Sequence, residues 1–285
     1  MKKTVAQVTP VQCPYCNGSH NVPWAFENGY SAVKCKTCGI IFVNPRPLDF
    51  VINQYVETGI HKELDNEKSA INRRVSKKVK LYKKIFSSMF KDVLDRPSPI
   101  KWLDVGAGYG EIVEALVSIA PAGSCIEGIE PMKPKALKAQ ARGLNVSQRY
   151  LADVKEKYEF ISLINVFSHL PDFRLFLKDI RKVLVSDGEF FLETGNIGDL
   201  ADSKEVPSEL DLPDHLVFAG EEHIKGFLKD AGFSIIEIRK IRKDGFLNFG
   251  KNIIKKILGR DITIILPYTS AYRSILIRAK LKPIR

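Results

Sequence analysis

The amino-acid sequence predicts an α/β fold with a small satellite module at its N-terminus. A short apolar strand at 101–105 runs directly into three glycines at alternate positions, and a helical pattern of apolar residues starts at Glu111. A second apolar segment, 124–130, ends in a carboxylate about 20–30 residues after this loop. Two pairs of closely spaced cysteines precede both segments. The first two observations predict a βαβ unit, and the third predicts a metal-stabilised module.

The N-terminal cysteines have the spacing of a structural zinc site. They form two Cys-x-x-Cys pairs, Cys13 with Cys16 and Cys35 with Cys38, and the spacer between the pairs lies in the range of zinc modules. Four thiolates complete a tetrahedral shell, which leaves zinc no open position for catalysis. Disulfides are the alternative, but no apolar signal sequence is visible near the N-terminus. We therefore predict a zinc ribbon over residues 1–47.

Carboxylates around the glycine-rich turn indicate a cationic ligand. Gly106, Gly108 and Gly110 lack a Cβ atom, so the backbone can turn tightly and approach a ligand closely. A pyrophosphate binds where helix-terminal N–H groups have no anion beside them, whereas Asp104 and Glu111 flank this turn. Opposite charges about 4 Å apart attract by a few kcal/mol in a protein-like dielectric. S-Adenosylmethionine, with its ammonium and sulfonium groups, fits this pattern better than a dinucleotide.

At these residues the chain resembles the class I S-adenosylmethionine-dependent methyltransferases. The first motif of that family, an acidic residue followed by alternate glycines, is matched from Asp104 to Gly110. Glu130 and Pro131 resemble the acidic end of the second strand, where a carboxylate can accept hydrogen bonds from both ribose hydroxyls. Asn165 ends a segment similar to the fourth strand. The resemblance implies a Rossmann-like, doubly wound sheet of seven strands with the last strand antiparallel.

Apolar patterns predict the remaining elements in chain order. A helical stretch over 62–95 carries Lys and Arg on its outer face, and a cationic insertion occupies about 245–270. The predicted domains are the zinc ribbon at 1–47, a helical linker region at 48–98 and the Rossmann-like domain at 99–285. The apolar face of the linker helix consists of Ile71, Val75, Val79, Tyr82, Phe86 and Met89. The predicted elements after it are helices 111–119 and 173–184 and strands 124–130, 158–165, 188–194, 233–241 and 271–279.

The segment 212–218, together with the ribbon, is similar to one branch of this family, the zinc-containing methyltransferases that act on nucleotide-linked sugars and related small metabolites. That branch often has Tyr-x-Glu-His here, and this sequence has Leu212, Asp214 and His215. Because Leu212 lacks the tyrosine hydroxyl, methylation of an oxygen or a nitrogen is at least as well supported as methylation of a carbon. The resemblance implies a sugar or nucleotide-sugar acceptor in glycan or secondary-metabolite synthesis.

Two histidines and an aspartate are the catalytic candidates. His169 follows the fourth strand, where ligands bind, and His215 lies on a proline-containing loop. An unperturbed imidazole pKa near 6.5 suits proton transfer at neutral pH, and Asp214 could orient an imidazole or hold a substrate hydroxyl. His169 could instead cap the helix that follows it. Asp153 is a candidate for the adenine amino group, whereas packing is favoured over a substrate contact for Tyr55.

The net charge of +11 leaves partners other than a small molecule open. RNA methylation is the first alternative, because a basic surface neutralises phosphates and zinc ribbons occur in some ribosomal-RNA methyltransferases. Against it, no Asn-Pro-Pro-Tyr or Pro-Cys motif follows the fourth strand. A non-catalytic binding protein is the second alternative. The cationic amphipathic segment 246–258 could form a lid or rest on an anionic membrane, so the expected location is cytoplasmic or peripheral to a membrane. The oligomeric state stays open.

Overall fold

A mixed sheet of seven strands forms the centre of the molecule in the described part of the chain. The structure is a computed structural model that describes residues 7–58, 68–206, 209–242, 246–259, 264, 266 and 269–283. The strands in chain order are β1 Val8–Thr9, β2 Asn21–Glu27, β3 Tyr30–Cys35, β4 Ile41–Val43, β5 Arg46–Pro47, β6 Lys101–Val105, β7 Cys125–Ile129, β8 Val146–Ser147, β9 Tyr158–Ile164, β10 Leu184–Gly195, β11 Val217–Phe218, β12 Phe233–Arg242 and β13 Arg273–Leu281. The helices are α1 Asp49–Thr58, α2 Lys68–Met89, α3 Lys91–Leu94, α4 Glu111–Val117, α5 Lys133–Gln140, α6 Phe173–Val183, α7 Glu221–Asp230 and α8 Phe246–Ile257.

The central sheet has the order β12-β13-β10-β9-β6-β7-β8, and β13 runs antiparallel to both of its neighbours while the other pairs are parallel. This confirms the predicted Rossmann-like sheet with an antiparallel last strand. The carboxyl ends of β6, β7, β9 and β10 meet at one edge, which is where open α/β sheets bind ligands. β10 starts four residues before the predicted strand, because Leu184 already pairs with β9 and the register then shifts before Glu189. β13 is displaced toward the C-terminus relative to prediction, since Leu281 pairs with Phe233.

An aromatic cluster fixes α2 against one face of the sheet. The Phe86 ring is fully buried, with its centroid 5.3 Å from that of Trp102 and 5.1 Å from that of Phe191. Of the predicted apolar face, Val75, Val79, Tyr82, Phe86 and Met89 are buried. The side chain of Ile71, residues 62–67 of the predicted helix and the side chain of Tyr55 lie outside the described residues. None of the described helices is long and apolar enough to cross a membrane.

The cysteine module docks on α6 and α7 at the opposite face of the sheet. The Tyr15 ring meets the rings of His223 and Phe227 edge-on at 5.0 and 4.9 Å, and Arg174 stacks over Tyr15. Gly220 N–H donates to His223 Nδ1, so Nε2 carries the proton and donates to the Cys38 carbonyl at 2.7 Å. The module is therefore joined to the central domain by apolar packing and by a directed hydrogen bond.

The module's own sheet is completed by a strand from the C-terminal half of the chain. Its order is β11-β4-β3-β2, in which Val217 and Phe218 of β11 pair antiparallel with Phe42 and Ile41 of β4. The predicted ribbon at 1–47 contains the other three strands but not β11. The boundaries of the predicted domains stay predictions, but the pairing shows that the two modules share a sheet.

Candidate active site

The loop after β6 lies at the carboxyl edge of the central sheet and turns through three left-handed glycines. Gly106 and Gly110 have φ values of +74° and +81°, and a Cβ at either would clash with Val166 or Leu144. Gly108, at φ +57°, would place a Cβ in contact with the Glu111 carboxylate alone. Packing and backbone conformation thus account for Gly106 and Gly110, while Gly108 is the position at which the loop can approach a ligand.

Two buried carboxylates hold this loop in place. Glu130, 6% exposed, accepts hydrogen bonds from Gly108 N–H at 2.7 Å and from Met132 N–H at 3.0 Å. Glu111 is equally buried and accepts from Tyr109 N–H, and its other oxygen lies 3.3 Å from Lys78 Nζ on α2. Each carboxylate oxygen has two lone pairs, so Glu130 retains the capacity to accept from a ribose hydroxyl.

Asp104 is the most buried carboxylate of the group. Its Oδ1 accepts from Ser162 Oγ at 2.5 Å, and Trp102 Nε1 donates to that hydroxyl. Burial, and secondarily the charges of Glu111 and Glu130, raises the pKa of Asp104 to about 8. Three buried carboxylates with one lysine beside them favour the approach of a cation, because a positive charge would offset the burial and the repulsion that raise the pKa of Asp104.

The remaining predicted cofactor residues lie at the ends of neighbouring elements. Asn165 follows β9 directly in a left-handed conformation, φ +56°, and its N–H donates to the Glu193 carbonyl. Pro131 is the second residue after β7 and is half-buried. Asp153 is exposed, and its carboxylate accepts from Tyr150 N–H within the same turn, so the structure gives it a local capping contact. Their contacts with a cofactor stay predictions.

The three predicted catalytic residues come together although 45 residues separate His169 from Asp214. The rings of His169 and His215 have centroids 4.6 Å apart. Asp214 contacts His169 Nδ1 through its backbone oxygen at 2.9 Å and its Oδ1 at 3.4 Å. The cluster belongs to the same edge as the glycine loop, because Val166, which packs over Gly106, precedes His169 by three residues.

The hydrogen bonds of His215 define which of its nitrogens can act as a base. Nδ1 lies 2.7 Å from the Leu210 carbonyl oxygen, which can only accept, so Nδ1 carries the proton and Nε2 carries the lone pair. Burial, followed by the neighbouring His169, lowers the pKa of His215 from 6.5. The imidazole is therefore neutral at neutral pH, which is the form that accepts a proton.

The cysteine module holds the loop that carries Asp214 and His215. The Glu27 carboxylate, on the last residue of β2, accepts from Leu210 N–H at 2.9 Å and from Leu212 N–H at 3.1 Å. Asn28 Nδ2 donates to the Leu212 carbonyl at 2.8 Å. On the other side of the histidine, Val43 N–H donates to the Leu216 carbonyl at 2.8 Å. Bonds from β2, β4 and the turn between β2 and β3 thus fix the loop at both ends.

The four cysteine sulfurs form a compact cluster. All four lie within 4.8 Å of one another, with Cys13 Sγ 3.5 Å from Cys38 Sγ and Cys16 Sγ 3.6 Å from Cys35 Sγ, and none is in a disulfide. Burial alone would raise the pKa of Cys35, but hydrogen bonds from the backbone N–H groups of Cys38 and Thr37 lower it to about 6. Four converging sulfurs with amide donors to a thiolate are what a tetrahedral zinc site requires.

Two residues around the site, Glu27 and Glu193, were not predicted from the sequence. Glu27 was not identified because its partners, Leu210 and Leu212, lie some 180 residues later in the sequence. The available signal was the apolar run 216–218 just after them, which is long enough for a short strand. Glu193 was also missed. It is buried in β10, and its carboxylate accepts from Tyr82 Oη at 2.8 Å and from Ser274 Oγ at 2.6 Å. The signal available in the sequence was the position of Glu193, a charged residue, within a largely apolar strand.

Comparison with known proteins identifies the central domain. A family model described as a methyltransferase domain matches residues 73–238. The ubiquinone biosynthesis O-methyltransferase of Actinobacillus pleuropneumoniae is 30% identical over 110 residues, which are 34% of this chain and 46% of that enzyme. The match thus spans about half the length of this curated relative.

Solved structures show the same fold at low sequence identity. The geranyl diphosphate C-methyltransferase of Streptomyces coelicolor, in complex with Mg²⁺, geranyl diphosphate and S-adenosyl-L-homocysteine, superposes with a TM-score of 0.53 at 13% identity, covering 79% of this chain and 88% of that one. The magnesium protoporphyrin IX methyltransferase of Synechocystis with bound S-adenosylhomocysteine gives 0.51 at 15% identity, covering 82% and 99%. At 13–15% identity, these similarities show a shared fold and nothing more.

We expect Glu27→Ala to lower the free energy of unfolding by about 1–3 kcal/mol. Hydrogen bonds to a charged group are worth about 1.5–3 kcal/mol each, and Glu27 is only half-buried, so solvent reduces the sum. Denaturant unfolding measures the change. Glu27→Gln keeps one acceptor oxygen and should lose about half as much. Equal stability of the alanine variant and the wild type would contradict the role of Glu27 in holding the loop.

Proposed function

Because the chain belongs to the family of proteins with a methyltransferase domain, we propose that it transfers the methyl group of S-adenosylmethionine to a small-molecule acceptor. The observation that carries the proposal is the pairing of two sites at one edge of the sheet. A turn surrounded by buried carboxylates favours a cationic ligand, and a neutral histidine beside it can take up a proton. Together they supply the two requirements of methyl transfer, a bound sulfonium donor and a base for the acceptor.

The residues of the glycine loop fit S-adenosylmethionine. Asp104 and the backbone from Gly106 through Gly108 to Gly110 would hold the methionine end, and Glu130 with Pro131 would hold the ribose. Asp153 and Asn165 are proposed to complete the adenosine site. When bound, the cofactor supplies an activated methyl group on a positively charged sulfur. The carboxylates favour this charge, and the rigid loop orients it, because an in-line displacement depends on the position of the reacting atoms.

His215 is proposed as the general base. Its Nε2 would accept the proton of an acceptor hydroxyl as the oxygen forms its bond to the methyl carbon, while the Nδ1–H bond to the Leu210 carbonyl keeps the ring in place. Asp214 fixes His169 against His215 and would compensate the positive charge that develops on the imidazole. His169, partly exposed, is proposed to contact the acceptor.

A sugar or nucleotide-sugar hydroxyl is the proposed acceptor, within glycan or secondary-metabolite biosynthesis, and an anionic acceptor suits the net charge of +11. The support is the loop itself, in which an Asp-His pair faces a second histidine and is held by a four-cysteine module. The curated relative acts in ubiquinone biosynthesis, so a phenolic hydroxyl is a further candidate for the same base. RNA methylation and a non-catalytic role are the alternatives, and the acceptor experiment below distinguishes each of them from methylation of a small molecule. A cytoplasmic location stays a prediction from the sequence.

The four-cysteine cluster is proposed to hold a structural Zn²⁺ through Cys13, Cys16, Cys35 and Cys38. A closed shell of four thiolates contributes to folding and takes no part in methyl transfer. Its effect on the reaction would be indirect, because the module that it stabilises carries Glu27 and β4, which position the loop of His215.

Metal analysis of the purified protein should find one zinc per chain. Cys35→Ser removes one of four ligands and should lower the zinc content together with the thermal stability. Cys125→Ser is the matched control, because Cys125 is exposed and lies outside the cluster. A metal-free wild type with the four cysteines paired as disulfides would refute the zinc site.

Glu130→Ala should weaken binding of S-adenosylmethionine by at least about tenfold in titration calorimetry. The substitution removes a charge-assisted hydrogen bond to the ribose, worth about 1.5–3 kcal/mol, and also releases Gly108 N–H. Glu127→Gln is the control, since Glu127 lies on β7, three residues before Glu130, but accepts a hydrogen bond from Tyr158. Unchanged affinity of Glu130→Ala would make the ribose assignment wrong.

His215→Ala should lower kcat by at least about tenfold and leave the affinity for S-adenosylmethionine nearly intact, since general-base assistance contributes about 10²–10⁴ in rate. In the wild type, kcat should fall only as pH drops through a value below 6.5, because the pKa of His215 is lowered and the base acts in its neutral form. His20→Ala, an exposed histidine, is the control.

The acceptor is identified by offering radiolabelled S-adenosylmethionine with a panel of nucleotide-sugars and phenols and, separately, with unmodified ribosomal RNA. Label in a small acceptor, with its rate reduced by His215→Ala, supports the proposal. Label in RNA alone rejects the small-molecule acceptor. A full rate in His215→Ala removes that residue from the mechanism. Cofactor binding without transfer to any substrate would favour the non-catalytic alternative.

A further inference from the structure

The insertion between β12 and β13 places α8 at the functional edge of the sheet. Arg242, the last residue of β12, pairs with Arg273, and the next residue of β13, Ser274, pairs with Gly195 at the carboxyl end of β10. The chain therefore leaves and re-enters the sheet on the side of the glycine loop and the histidines. A surface formed by α8 is consequently on the side from which an acceptor would approach.

One side of α8 exposes large apolar side chains. Ile254, Ile257 and Leu258 are 59%, 79% and 75% exposed, and Leu266 beyond the helix is 62% exposed. The first three are spaced by three and four residues, so they lie on one helical face. On the adjoining part of the apolar stripe, Phe249 and Ile253 are half-buried. A helix packed only against its own domain would bury this stripe, whereas of its described side chains three are exposed and two are half-buried.

The charges around this face have one sign. Lys251 and Lys256 are exposed, and residues 246–259 contain neither Asp nor Glu. Because successive helical residues are about 100° apart, Lys251 borders the exposed part of the apolar stripe, and Lys256 borders the half-buried part. Long lysine side chains in this position can keep the ammonium groups among anionic head groups while the neighbouring apolar side chains enter the acyl boundary.

We propose that α8 binds the surface of a membrane containing anionic lipids. The exposed isoleucines and leucine enter the interface, Lys251 beside them contacts lipid phosphates, and the net charge of +11 attracts the protein to the surface from a distance. The helix lies in the plane of the interface, with its half-buried side toward the protein. Bound in this way, the enzyme presents the carboxyl edge of its sheet to acceptors that reside at the membrane.

A second copy of the chain is the competing occupant of this face. In a symmetric dimer through α8, the same lysines of both copies would approach one another around the shared apolar patch, and no acidic side chain of the helix would neutralise them. Lipid phosphates provide the missing negative charge. Charge complementarity therefore favours the membrane.

The test is co-sedimentation of the full chain with vesicles. One set consists of phosphatidylcholine and the other of phosphatidylcholine mixed with phosphatidylglycerol. The variant Ile254→Asp with Ile257→Asp places two charges on the exposed face. The matched control, Val117→Asp with Leu137→Asp, changes two apolar side chains that are 58% and 52% exposed on α4 and α5. Circular dichroism and calorimetric binding of S-adenosylmethionine verify that each variant is folded.

We expect the wild type and the control to bind the anionic vesicles, and the α8 variant to bind them at least about tenfold more weakly. Lys251→Gln should weaken binding about fivefold, because one lysine near an anionic surface is worth about that factor, and added salt should have a similar effect. Failure of the folded wild type to bind, or equal binding by the α8 variant, overturns the proposal. A dimer in solution that the α8 variant dissociates, without vesicle binding, would assign the face to a second copy.

Discussion

The pairing of β11 with β4 is the contact on which the arrangement of the candidate site depends. It joins a strand of the central domain to the sheet of the cysteine module. The loop before β11 is thereby held between two modules, with Glu27 bonding its first part and Val43 its last. His215 and Asp214 lie between these attachments. The position of the proposed base is therefore determined as much by the cysteine module as by the central domain.

Short-range patterns predicted most of the fold, and long-range pairings account for what they missed. The glycine loop, the Cys-x-x-Cys pairs and the apolar face of α2 are each recognisable within a few turns or a few tens of residues. The catalytic candidates were also predicted from local motifs. The contact between Asp214 and His169 could not be derived from the sequence, because it depends on two loops that fold onto one edge of the sheet. The role of Glu27 could not be predicted from its neighbouring residues, since a glutamate at the end of a strand is usually exposed to solvent.

Two titratable groups at the same edge of the sheet, Asp104 and His215, have pKa values that differ from their ordinary ones. Burial raises the pKa of Asp104 to about 8 and lowers that of His215, so both groups tend toward their neutral forms. For Asp104 a cationic ligand would favour the charged form, and Lys78 already pairs with the neighbouring Glu111. For His215 the neutral form is the one that its proposed role as a base requires. One physical effect thus favours the neutral form that the proposed base requires, and it leaves the glycine loop suited to a positively charged ligand.

The sequence separation between the two strands of the shared sheet also orders events during synthesis. Val217 pairs with Phe42, so 175 residues must be added after β4 before its partner exists. At about 5–20 residues per second, the ribosome needs roughly 10–35 s for that length. During this interval β4 is an uncovered edge strand with all three residues apolar, a template for unwanted pairing. A nascent chain that has formed the first three strands of this sheet therefore stays exposed to aggregation until residue 218 has left the ribosome.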